Sequence, residues 1–292
     1  MSEAIPVRKS AIAGTWYPGT PAALHQTVQH LFAQASVPDM HGEVVALLAP
    51  HAGYAYSGPI AAHAYRAVHG QTFARVILMG PLHRPIWGAR LSSVMASSEA
   101  AYETPLGAVP LDRAFLDALA QRAPITMVRG DQEHSLEIQL PFLQEALGRF
   151  RLAPLLLAEM PDDAASLAYC RVLGEAVAET VRAMEGRSLV VASSDLSHLD
   201  DYRLVVSRDK VLVEVVAAFD LDGLMQALSQ GRCYACGGAA IVATMAAAKA
   251  LGATRAQVLR YAASGDITGD KRPGTYTVGY LAAAFVREKP QE

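Results

Sequence analysis

The chain has 292 residues, 52% of them apolar and only 18% charged, with a net charge of −3 and no basic run. That balance excludes polybasic nucleic-acid and membrane-surface binding, allows a large core, and leads us to expect a homodimer that covers part of an unusually uncharged surface. Three cysteines are too few for a disulfide framework, and Met1 to Pro6 carries Glu3 and no apolar core, so a cytoplasmic protein without a secretory signal is expected.

Residues 8 to 19 hold Gly14, Trp16, Tyr17, Pro18 and Gly19, an ordered aromatic loop. Thr20 and Pro21 then suit the N-cap and first position of a helix through about Ala35. Val44 to Ala49 is a buried strand, stopped by Pro50 and turned at Gly53, which leaves His51 at the strand's carboxyl end. Gly58 to Val68 reads as a helix and Arg75 to Met79 as the next strand, a βαβ unit with parallel pairing.

Leu91 to Met95 is a further strand and Tyr102 to Gly107 a turn-rich loop. Leu111 to Gln121 is helical. Asp131 is the expected N-cap of a helix from Gln132, which Pro141 should kink or divide. Leu152 to Ala158 is a strand, and Pro161 to Met184 a helix with Asp162 and Asp163 in its first turn. After a strand running from Leu189 to Asp195 come helices over Leu204 to Phe219, Leu221 to Ser229 and Ala239 to Ala250. The Ala-rich last one is too short to span a membrane. Strands over Gln257 to Ala262 and Thr275 to Val286 close a mixed sheet, joined by a loop from Ser264 to Asp270. No linker divides the chain, so one α/β domain over residues 1–292 is expected, with a largely parallel mixed sheet flanked by helices.

Three apolar strands run into histidines: His51, His83 after Gly80-Pro81-Leu82, and His198 after Ser193-Ser194-Asp195-Leu196-Ser197. Strand carboxyl ends are where open α/β sheets bind ligands. Cys233-Tyr234-Ala235-Cys236 is a single thiol pair and so not a four-ligand zinc site, but Cys236 stands just before a helix, where the dipole favours a thiolate. Two neutral imidazoles and one anion make a three-point metal site with open positions, a formula that His51, His83 and Cys236 fit; a thiolate shifts preference toward softer metals such as copper. His198, with Asp195 three residues before it, suits an acid/base or a donor beside the metal. His134 and Glu137 share a helix face, which a polar helix start explains nearly as well.

Ordered blocks along the whole chain then match a family. Gly14-Thr15-Trp16-Tyr17-Pro18, Ala49 to Tyr54, Gly80 to His83, Tyr102 to Gly107, Glu133 to Glu137, Ser193 to His198, Ala235-Cys236-Gly237, Ser264 to Asp270 and Val278-Gly279-Tyr280 are the blocks. The chain resembles the Memo-like proteins, whose bacterial members are called AmmeMemoRadiSam system protein B. The resemblance implies a fold similar to class III extradiol dioxygenases of the LigB type, with non-haem iron. It also implies metal ligands at His51, His83 and Cys236 and a further site histidine at His198. Catalytic candidates are thus His198, Asp195 and His134, with Trp16, Tyr54 and Glu137 as candidate pocket residues. Leu82, Arg84 and Gly238 depart from the family pattern, which bears on hydrogen bonding around the metal rather than on its ligands.

Two functions follow as expectations. One is a metal-dependent redox enzyme holding iron(II) or copper, with zinc as the ion picked up in a purified sample, working beside radical-SAM and AMMECR-like proteins. The other is a metal- or peptide-binding adaptor without turnover.

Overall fold

The computed structural model describes residues 6–84, 86, 94–158 and 162–288. In chain order, β1 (Val7–Arg8) and a loop lead to α1 (Pro21–Gln34), β2 (Gly42–Ala49), α2 (Gly58–Arg66) and β3 (Arg75–Pro81). Then come β4 (Val94–Ser97), β5 (Ala101–Thr104), β6 (Gly107–Pro110), α3 (Arg113–Ala120), β7 (Thr126–Val128), α4 (His134–Glu137) and α5 (Leu140–Leu147). β8 (Arg151–Leu157), α6 (Ala164–Arg182), β9 (Ser188–Ser193), β10 (Asp195–Leu199), α7 (Tyr202–Ala217) and α8 (Leu221–Ser229) follow. The chain ends through α9 (Gly238–Ala250), β11 (Arg255–Ala263), α10 (Ser264–Thr268) and β12 (Thr277–Glu288).

The large sheet has the strand order β10-β12-β2-β9-β3-β8-β4-β7, with β11 paired to β12. Its centre, β2-β9-β3-β8, is parallel, and β12 is antiparallel to its partners, so the fold is α/β with a mixed sheet. The central strands are apolar throughout because both faces are covered. Ile77, Met79, Val190 and Ala192 face a layer containing α3, α6, α7, α8 and α9. Val76, Leu78, Leu189 and Val191 face α1, α2, α4 and α5. The helix joining β2 to β3 makes the expected parallel crossover, but β9 lies between the two strands, so they do not pair directly.

Several local expectations are corrected. The Tyr102 to Gly107 loop is the β5-β6 hairpin, which forms a small sheet with β1. Tyr102 is buried there beneath the Arg8 guanidinium, 4.6 Å from its ring centre. Asp131 does not cap the next helix, because it is bound to Arg8 at 2.9 Å; Glu133 caps it instead. Pro141 does divide that helical stretch, standing in the first turn of α5. Asp163 is the cap of α6 rather than a first-turn residue, its carboxylate accepting from Ser166 N. The stretch past Ser193 is a separate strand, β10, and most of the loop from Ser264 is the short α10. Leu91 to Ser93 and Pro161 lie outside the described residues.

α9 is buried on every side from Gly238 to Ala248, which its alanines make feasible by letting neighbours approach closely. A β-carbon on Gly174 of α6 would stand 2.1 Å from the Ala243 carbonyl oxygen, so only glycine fits that crossing. No helix among the described residues is long and apolar enough to cross a membrane.

β12 carries β11 along one side; on the other, β2 meets its second half and β10 its first. β10 thus lies just beyond the carboxyl end of β2. Asp209 of α7 supports this corner: its buried carboxyl accepts from Ser197 N (3.1 Å) and the Tyr261 hydroxyl (3.0 Å). Burial pushes its pKa up to about 6, against the pull of those donors. A carboxyl whose folded pKa stands above its unfolded value near 4 takes up a proton on folding between the two. Its contribution is therefore full below pH 4 and lost as the pH rises through 6. Asp209→Asn should remove this dependence, so stability relative to wild type should rise by on the order of 2–3 kcal/mol between pH 4 and 7. Urea titrations of both proteins across that range measure it; a constant difference would refute it.

Candidate metal centre

His51 follows β2, His83 follows β3, and His134 opens α4, so three separate elements deliver imidazoles to one end of the sheet. One ring nitrogen from each lies within 4.8 Å of the others. The ring centres of His51 stand 5.2 Å from His83 and 5.6 Å from His134, at steep angles, while His83 and His134 are nearly parallel at 4.6 Å. The cluster thus contains two of the ligands expected from sequence plus His134, expected only as a catalytic residue.

The proton positions of two rings follow from their partners. Ser193 Oγ lies 2.5 Å from the Ser135 carbonyl oxygen, which can only accept, so the hydroxyl proton is used there. Ser193 Oγ therefore accepts from Gln139 Nε2 (2.7 Å) and from His51 Nδ1–H (3.1 Å). His51 Nε2 is left as a bare lone pair on the cluster side. Burial holds the His51 pKa well below its usual value, with help from His83 and His134, so the ring is neutral.

Glu133 does the same for His83. Its carboxylate accepts from His83 N (2.6 Å), His83 Nδ1 (3.0 Å), Arg84 N, His134 N (2.8 Å) and Ser135 N (3.0 Å). Burial opposes its ionisation, yet the His134 and His83 imidazoles and these N–H groups hold its pKa well below the carboxylate range. An ionised Glu133 fixes the proton of His83 on Nδ1 and leaves Nε2 free. His134 Nδ1 is 3.1 Å from Glu133 Oε1 but outside hydrogen-bond geometry, and it has no hydrogen-bond partner among the described residues. The ring of His134 packs on Trp16, 4.3 Å away.

Cys236, on the turn before α9, places Sγ 3.1 Å from His51 Nε2 and 3.5 Å from the Asp195 carbonyl oxygen. Burial at this turn works against the thiolate that the helix start favours. Burial, with the Asp195 carboxylate beside it, pushes the thiol pKa up. The neutral thiol then donates to the lone pair of His51. Gly237 lets the turn approach, since a β-carbon there would stand 2.5 Å from the Ser193 carbonyl oxygen. Cys233 is buried, its thiol pushed up to about 11 by burial.

Asp195 is buried and accepts from His51 N at 2.7 Å. Burial pushes its pKa up to about 7, against the pull of the His51 and Ala52 N–H groups. It holds the His51 loop; its carboxyl makes no hydrogen bond to His198. His198 lies half-buried on β10, its Nδ1 2.9 Å from the Tyr276 hydroxyl, its pKa lowered first by burial and then by His83.

Of the expected pocket residues, Trp16 lines two cavities, of about 750 and 490 Å³. Tyr54 lines only the larger and is mostly buried, its hydroxyl donating to the Ile138 carbonyl oxygen. Glu137 lines neither. Its carboxylate is sealed and accepts from Arg8 Nη1, Ser10 Oγ, Ala11 N, Ile12 N and the Tyr17 hydroxyl, so the structure gives it an anchoring position rather than a pocket position. Sequence reasoning missed Glu133, Gln139 and Ser193 as supports and Tyr56 and Tyr276 on the smaller cavity. The one available signal was Glu133-His134, an acid followed directly by a histidine at a helix start.

A family model for the Memo-like protein matches residues 8–284. A MEMO1 family protein of Methanopyrus kandleri is 33% identical, over 96% of this chain and 99% of its own length. Another, of Pyrobaculum aerophilum, is 34% identical over the same shares. Among solved structures, an uncharacterized protein of Escherichia coli K12 aligns with a TM-score of 0.47 and 12% identity, covering 82% of this chain and 99% of that one. With the family match running through both the first and the last strand of the fold, the chain belongs to the Memo-like protein family.

Proposed function

We propose that this end of the sheet binds one iron(II) or copper ion through His51, His83 and Cys236 and that the protein is a metal-dependent redox enzyme. The convergence of His51, His83 and His134 within 4.8 Å carries the metal reading, and Cys236 enters it through its Sγ, 3.1 Å from His51 Nε2. Imidazoles gathered around a shared space, two of them oriented by Ser193 and Glu133, are the donor set that a metal ion uses. Cys236 supplies the anion once its proton leaves, and its Sγ already touches the lone pair of His51. Iron or copper there would supply redox chemistry, with the positions that a three-donor set leaves open.

The remaining roles belong to the chain. Ser193 and Glu133 orient the donor rings, Asp195 and Gln139 hold the His51 loop, and Trp16 walls off His134. His198 is the proposed acid/base. Radical-SAM and AMMECR-like partners are supported only by the name of the bacterial family members. A second reading, a binding component without turnover, is favoured by the smaller cavity, on whose rim Tyr56 and Tyr276 are 48% and 59% exposed.

Metal analysis tests the site. Wild type should bind one ion per chain, and His51→Ala and Cys236→Ser should each lose most of it, because a three-donor site loses its geometry with any donor. Unchanged metal in both variants would overturn the donor set. Loss in His51→Ala and His134→Ala with retention in Cys236→Ser would replace Cys236 by His134.

A further inference from the structure

Resting on the metal reading above, we propose that Tyr276 is a positioning residue that locks the His198 imidazole with its buried Nε2 left unpaired. Tyr276 immediately precedes β12, whose first residues pair with β10 in the register Leu199↔Thr277 and His198↔Val278. That register puts the phenol beside the imidazole, hydroxyl to Nδ1 at 2.9 Å, ring centres 6.1 Å apart and 74° inclined. An exposed tyrosine with its hydroxyl spent on one ring nitrogen is an orienting device, since without it the ring is free to turn about its last side-chain bond.

The opposite nitrogen supplies the second observation. His198 Nε2 is shut off from solvent and has no hydrogen-bond partner among the described residues. A buried imidazole nitrogen that the chain leaves unpaired is destabilising unless water or another group pairs with it. Tyr276 also lines the 490 Å³ cavity with Trp16 and Tyr56. Held at Nδ1 by the hydroxyl, the ring keeps one orientation, and the phenol, by donating to Nδ1 or accepting from it, biases the ring to one of its two tautomers.

Nitrogen NMR of full-length protein labelled in histidine, with His198 assigned by its loss in His198→Gln, reads the tautomer directly. Wild type should show one protonated and one bare ring nitrogen for His198, and Tyr276→Phe should show the two averaged. The same pair of resonances in Tyr276→Phe, or averaging already in wild type, would overturn the proposal whatever happens to thermal stability. A cobalt(II) titration followed by its visible spectrum tests the metal reading separately. With no cobalt spectrum in wild type the metal site fails, and the resonances still decide whether Tyr276 locks His198.

Discussion

His198→Ala is expected to keep its metal and to lose metal-dependent oxygen consumption or thiol oxidation by about 10²–10⁴-fold, the usual contribution of a positioned acid/base. Retention follows from geometry. His51 takes its tautomer from Ser193, His83 from Glu133, and neither ring hydrogen-bonds His198. The loss of rate follows from the buried, unpaired Nε2, which is the nitrogen available to exchange a proton with a bound group. Burial and then His83 lower its pKa, which favours the neutral ring. Metal content and oxygen uptake are to be measured on the same preparations. Equal uptake in the two proteins, with metal retained, would remove the acid/base role and favour the binding-component reading. Loss of metal in His198→Ala would instead place His198 among the ligands.

Glu137→Ala is expected to destabilise the fold by about 3–5 kcal/mol, because it strips one partner from a buried charge network. Arg8 is 2% exposed and Glu137 is fully buried. The guanidinium spans Asp131 at 2.9 Å, Glu137 at 2.6 Å and the Glu133 carbonyl oxygen at 2.6 Å, with its face on Tyr102. Glu137 also receives the N–H groups of Ala11 (2.9 Å) and Ile12 (3.2 Å) and the Tyr17 hydroxyl (2.8 Å). Its removal leaves all of them without that acceptor in a place water does not reach. Glu103→Ala, which breaks an ion pair to Lys9 whose side chains are largely exposed, should change stability by less than about 1 kcal/mol. Urea unfolding of both variants decides the matter, and a Glu137→Ala midpoint near that of Glu103→Ala would refute the network's role. The network reaches the metal centre through chain connectivity. It pins residues 8–12 against α4, and the next turn carries Trp16 onto His134. Glu137→Ala should therefore also loosen the aromatic wall of the site.

How much of this was legible in the chain depends on how local the cause is. Leu221–Ser229 was bounded at both ends as α8, and Pro21–Gln34 within a residue of its end, because caps, prolines and apolar spacing act within one turn. Tyr102 to Gly107 misled because Thr104-Pro105-Leu106-Gly107 reads as a loop. The strand on either side of that turn forms only because β1 offers β5 an edge from almost a hundred residues away. Asp131 misled in the same way: it has the chemistry of a cap, but Arg8, 123 residues away in the chain, claims it.

By itself the sequence determined that apolar strands end just before His51 and His83 and that a cysteine stands before the Ala-rich helix, since strand ends and helix starts are set by nearby residues; that His198 lies within a strand of its own, β10, it did not show. It also carried the blocks that mark the Memo-like family. Only the tertiary structure decided that His134 joins His51 and His83, that Glu137 is an anchor, and that Glu133 and Ser193 choose the proton positions. Glu133 lies 50 residues from His83, and Ser193 lies 142 from His51. Pairings over such separations are fixed by strand order, and strand order is decided by which faces of the sheet the helices cover.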